Sequence, residues 1–70
     1  MNQRIAGRIP VLECLRAKKR PARRLFVLAS AKGLDDILEE AGGIPIEERS
    51  RGELDNLVDG MVHQGVVLEA

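Results

Sequence analysis

His63 is the single histidine of this 70-residue chain and Cys14 its single cysteine. A histidine can act as a general base, but no serine, cysteine or acid stands around His63 at the spacing of a nucleophile and its base. Two other readings stay open: contact with a bound partner through the loop Gly60–Gly65, or a hydrogen bond that shapes the turn before the last strand. Gln64 divides the same way. Gly65 answers a backbone need, either a positive φ or a close approach. One cysteine allows no internal disulfide, and with one histidine it makes no expected metal site. Cys14 falls beside an apolar helical stripe and reads as a small buried hydrophobe. Asp35, Asp36, Glu39 and Glu40 are of the type used in acid–base work. No pocket or partner is implied for them, so they read as a solvated helix face. No catalytic residue is assigned, and no GxGxxG or P-loop offers a cofactor cradle.

The cations say more. The net charge is zero, but residues 1–24 hold Arg4, Arg8, Arg16, Lys18, Lys19, Arg20, Arg23 and Arg24 against Glu13 alone, a net +7. Residues 25–70 hold Lys32, Arg49 and Arg51 against ten acids, a net −7. One end could face a polyanion and the other would be repelled by it. Lys18, Lys19, Arg20, Arg23 and Arg24 could contact phosphates, with salt-dependent binding as the consequence; the plain alternative is a solvated helix end and loop. No aromatic residue accompanies them, because the sole aromatic, Phe26, lies in an expected buried strand. Recognition of a polyanion there would therefore rest on backbone contacts and overall shape, with no aromatic stacking. Arg8 follows Gly7 at a strand-to-helix turn, where a helix N-terminus leaves N–H groups for an anion; a surface arginine beside a turn glycine is the equal alternative.

The elements that position these residues follow from the apolar pattern. Residues 3–6 form a short first strand that Gly7 breaks, and Pro10 suits the first turn of a helix over 9–18, which Pro21 ends. Leu25-Phe26-Val27-Leu28-Ala29 is a continuous apolar run, as in a strand covered on both faces. Ser30 could cap the next helix, whose Leu34, Ile37, Leu38 and Ala41 make one stripe and whose end is Gly42-Gly43. Ile44-Pro45-Ile46 reads as a short edge strand, since proline is confined to edges. Ser50 and Glu53 form a capping box, so a third helix should start at Arg51 and stop at Gly60. Val66-Val67-Leu68 is a final, central strand. The alternation β-α-β-α-β-α-β predicts an α/β fold with helices on both faces of a small mixed sheet. The thin core of a chain this short must come from Leu, Ile, Val and Ala.

Two segments then stand out: Gly7-Arg8-Ile9-Pro10-Val11-Leu12-Glu13-Cys14-Leu15-Arg16 at one end and Val62-His63-Gln64-Gly65-Val66-Val67 at the other. With the strand, helix, strand and Ser-x-x-Glu-Leu start between them, they resemble the N-terminal substrate-binding domain of SpoU-type (TrmH-like) RNA 2′-O-ribose methyltransferases. In that family a G-[RK]-x-x-V-x-E-x-L segment opens the domain and H-Q-G-[VI] closes it. The resemblance covers essentially the whole chain; Ile9 departs, standing where many relatives carry a polar residue or histidine. It implies a three-layer α/β/α sandwich shared with ribosomal proteins that bind kinked RNA. It further implies that the chain positions ribosomal or transfer RNA for a separate C-terminal catalytic domain, beyond a linker after Ala70. That domain would bind S-adenosylmethionine and form a homodimer; the present segment would bind no cofactor. Leu68-Glu69-Ala70 reads as a boundary just after the final strand. Charge and resemblance together nominate Arg4, Gly7, Arg8, Lys18, Lys19, Arg20, Arg23, Arg24, His63, Gln64 and Gly65 for RNA contact.

Cysteine usage fits a reducing cytoplasm, no apolar run approaches the ~20 residues of a membrane span, and the N-terminus has no signal-peptide pattern. Three competing classes remain: a free-standing kinked-RNA-binding protein of the same fold, a dimerisation module without RNA, and a small α/β enzyme. The last lacks a cofactor loop. If the first and last strands pair antiparallel, Gly7-Arg8 and His63-Gln64-Gly65 must emerge at one edge of the sheet. The basic run would then lie toward the other end of the first helix, roughly 15 Å away at ~1.5 Å per residue.

Overall fold

The computed structural model describes residues 4–17 and 22–70. The elements run β1 (Arg4–Ala6), α1 (Arg8–Ala17), β2 (Arg24–Leu28), α2 (Asp35–Ala41), β3 (Ile46–Arg49), α3 (Arg51–Val58) and β4 (Val66–Glu69). The expected order is present. The sheet order is β1-β4-β2-β3, with β4 antiparallel to both β1 and β2, and β2 parallel to β3. The sheet is therefore mixed, β4 lies inside it and β3 lies at an edge, as the proline suggested.

Alternation along the central strands builds two cores. Leu25, Val27, Val66 and Leu68 point to one face and meet Val11 and Leu15 of α1 with Leu34, Ile37 and Ala41 of the α2 region. Phe26 and Val67 point to the other and meet Leu54 and Val58 of α3. Two helices cover one face and one helix the other, which makes the three-layer α/β/α sandwich. The second core is small, so its free end is closed by charge instead of apolar bulk. There the register sets Arg4 and Arg24 on either side of the buried Glu69.

Two local readings are corrected. Ser30 does not cap α2: it sits in the turn after β2, and the helix enters through Leu34 with no side-chain cap. The chain needs residues 29–34 to cross from the sheet to the helix layer, so the helix starts later than the serine suggests. Strand β3 begins at Ile46, two residues later than Ile44-Pro45-Ile46 implied; Pro45, which has no N–H to give, contributes only its carbonyl, which accepts from Leu25 N–H at 2.9 Å. The capping box is as read: Ser50 Oγ accepts from Glu53 N–H at 3.2 Å, and Ser50 N–H donates to Glu53 Oε1 at 3.1 Å. The Ser50 backbone N–H, then its hydroxyl, and the Arg49 guanidinium hold the Glu53 carboxyl below the ordinary glutamate value, against slight desolvation.

Candidate nucleic-acid interface

The antiparallel pairing of β1 with β4 brings the two motif segments together. Gly7 continues the ladder by donating its N–H to Val66 O at 3.3 Å, then turns with φ +100° to start α1, and its carbonyl accepts from Val11 N–H at 3.1 Å. The next N–H, that of Arg8, donates to the side-chain Oε1 of Gln64 at 2.9 Å. Gln64 thus satisfies one of the donors that a helix start leaves open. The Arg8 side chain is half-buried and reaches across to donate from Nη2 to Lys32 O at 2.6 Å, which ties α1 to the loop after β2.

His63-Gln64-Gly65-Val66 is a tight turn. Val66 N–H donates to His63 O at 3.0 Å, and both central residues have positive φ, +54° at Gln64 and +85° at Gly65. That pair of angles is the type I′ pattern, and it places a glycine where one is favoured. The His63 ring is buried, with 8% exposure. Its Nδ1 accepts from Gly65 N–H at 2.9 Å, and its Nε2 lies 2.7 Å from Asp55 Oδ1. An accepting Nδ1 carries no proton, so the neutral ring has its proton on Nε2 and donates it to the Asp55 carboxylate. The imidazole therefore locks the turn to α3. Gly65 O in turn accepts from Leu28 N–H at 2.9 Å. A Cβ at Gly65 would stand 3.1 Å from the Ala31 Cβ, so both the positive φ and the close approach expected of this residue are present.

Around this turn lies an open cleft of about 790 Å³, lined by Arg8, Arg51, Asp55, Met61, Val62 and Gln64 among others. Arg51 enters from the first residue of α3, and the loop residues Met61 and Val62 stand 53% and 79% exposed. Arg51, Met61 and Val62 were not nominated from the sequence. The periodicity that identified α3 gives no reason to aim its first residue at a loop, and within the loop Gly60–Gly65 the apolar type of Met61 and Val62 did not mark them as site residues.

The basic end is arranged differently. Arg4 donates to Leu57 O at 3.0 Å and lies 3.8 Å from Glu69, which also faces Arg24 at 3.4 Å. Arg24 pairs with Glu47 at 3.0 Å, and Arg49 pairs with Glu47 and lies 3.9 Å from Glu53. Arg16 meets Glu40 at 3.7 Å. The two guanidiniums of Arg24 and Arg49 lie over the Phe26 ring, 6.0 and 5.4 Å from its centre. Arg4 and Arg24 are thus members of an ion-pair row, not of an open basic face. Arg23 is exposed, with its backbone N–H on Glu69 O at 2.7 Å. Lys18, Lys19 and Arg20 lie outside the described residues. Arg8, His63, Gln64, Gly7 and Gly65 come together at one end of the sheet, while Arg4, Arg23 and Arg24 lie at the other.

Comparison with known proteins gives the chain its relatives. The sequence pattern of the family described as RNA 2′-O ribose methyltransferase substrate binding matches residues 4–70. An uncharacterized tRNA/rRNA methyltransferase of Mycobacterium ulcerans is 36% identical over 73 residues, covering 97% of this chain and 23% of the relative. A protein of Mycobacterium avium with the same description matches equally, and one of Mycobacterium tuberculosis is 38% identical over 74 residues, covering 97% of this chain and 22% of its own length. The chain thus spans less than a quarter of these relatives. It belongs to the family of RNA 2′-O-ribose methyltransferase substrate-binding domains.

Proposed function

We propose that this chain is the RNA-docking portion of a larger 2′-O-ribose methyltransferase. In this reading it holds ribosomal or transfer RNA while a separate catalytic domain, using S-adenosylmethionine, methylates a ribose hydroxyl. The observation that carries the reading is the meeting of Gly7-Arg8 with His63-Gln64-Gly65 at a cleft that also holds Arg51. The greater length of the relatives favours this over a free-standing kinked-RNA-binding protein. The cleft itself does not suit the methyl donor. Two arginines line it, and its one carboxylate, Asp55, is bonded to His63, a poor setting for a sulfonium cation. The cofactor therefore belongs to the other domain, which we also take to form the homodimer, and the whole protein to act in the cytoplasm.

Binding should be modest and electrostatic. With Arg4 and Arg24 paired to acids, the cations left for phosphates among the described residues are Arg8, Arg23, Lys32 and Arg51. About four phosphate contacts give a slope of log K against log salt of roughly −3. A titration of the chain with a structured RNA from low to physiological salt checks this. A flat response would remove the electrostatic reading.

A further inference from the structure

Of the exposed large apolar side chains among the described residues, Ile9, Met61 and Val62 belong to the end of the domain that carries Arg8. Met61 and Val62 line the cleft itself, beside Leu28 and Ala31, and Ile9 is 67% exposed on the first turn of α1, next to Arg8. The folded chain has no need of them there. Val62 at 79% exposure packs against little, and the turn that follows is held by His63 and Gly65, not by its apolar neighbours. Exposed apolar side chains in a cleft point to a bound group with an apolar face.

The polar half of the cleft constrains that group further. Arg8 uses Nη2 on Lys32 O and keeps other N–H donors, while Arg51 is exposed. Asp55 is the one acid in the lining and its Oδ1 is turned to the His63 ring, so the two arginines outnumber it and leave the cleft net positive. The occupant must therefore combine an apolar plane with negative charge on one side. Resting on the reading that the domain binds RNA, we propose that this cleft takes a single unpaired nucleotide. Its base lies against Met61 and Val62, where the methionine sulfur suits an aromatic edge, and its phosphate faces Arg8 and Arg51. A base inside a duplex is stacked on both faces and cannot reach such a wall, so the cleft selects unpaired over paired RNA. The opposite end of the domain, where Arg23 stands beside an ion-pair row, meets phosphate alone and is indifferent to pairing.

The test uses two labelled RNA hairpins, one fully paired and one identical but for a single-nucleotide bulge. Binding of each is measured by anisotropy to the chain, to a Met61→Ser/Val62→Ser variant and to Arg23→Gln. Both cleft residues are exposed, so the double variant keeps its fold, which its circular dichroism confirms. The chain should favour the bulged hairpin by about tenfold. The double variant should lose that preference and bind both hairpins as the chain binds the paired one, whereas Arg23→Gln should weaken both and keep the preference. Equal binding of the two hairpins by the unaltered chain would overturn the proposal and leave RNA binding standing, as would a preference that survives in the double variant. Binding of neither would overturn the RNA reading as well.

Discussion

Gly65→Val should lower the melting temperature by about 15 °C or more. Two costs combine. A β-branched residue held at φ +85° bears left-handed strain of about 1–2 kcal/mol. Its Cβ would also stand 3.1 Å from the Ala31 Cβ and 3.5 Å from that of Leu28, and overpacking of this kind costs about 1–3 kcal/mol. The neighbours have little room to yield, because Leu28 N–H is bonded to Gly65 O and Ala31 N–H to Leu28 O. A loss near 3 kcal/mol is a large part of the roughly 4–10 kcal/mol expected of a domain this size, and each kilocalorie moves its midpoint by about 4–8 °C. Gly52→Ala is the internal comparison. It lies in α3 with nothing within 4 Å of the added Cβ, so it should leave stability equal or raise it by about 0.5–1 kcal/mol. Thermal melts of the two variants separate these outcomes, and a Gly65→Val chain that melts within a few degrees of the parent would show that the turn is not built as described.

Leu54→Ala should be as damaging, for a different reason. Helix α3 is held by a core of only four buried residues, Phe26, Leu54, Val58 and Val67, and Leu54 is fully buried in it. Removing three carbons there leaves a cavity whose cost is about 2–5 kcal/mol. The same helix carries Arg51 to the cleft and Asp55 to the His63 ring, so its loosening must also release the turn. Amide exchange is the informative measurement. Protection should fall first in α3 and next at Gly65 and Val66, with β2 amides the last to open. Unchanged protection of α3 would mean that the second core does not hold it.

These two sites show what the chain disclosed in advance. Ser50 and Glu53 are three residues apart and cap the same helix turn, so the box could be read directly, and the run from Leu25 to Ala29 announced a strand buried on both faces. The meeting of Arg8 with Gln64 needed one further step, an antiparallel pairing of the first and last strands, which the sheet has. What stayed hidden depends on side chains brought together by that same pairing. Glu69 pairs with both Arg4 and Arg24 only because β4 lies between β1 and β2, so a charge count by sequence halves overstated the open basic face. No motif marked Asp55, and its role as the partner of His63 comes from the return of the chain through residues 59–62. Ser30 misled because a good capping residue was present before the backbone was ready to turn.

The central claim is that the end of the sheet carrying both motif segments is the face that meets RNA. The most direct measurement is a map of amide shifts in the isotope-labelled chain as a bulged RNA hairpin is added. The largest shifts should fall at residues 7–9, 28–31, 51 and 60–65, which surround the cleft, with smaller and salt-sensitive ones near Arg23. A map centred on the acidic face of α2 and on β3, with residues 60–65 unmoved, would contradict it.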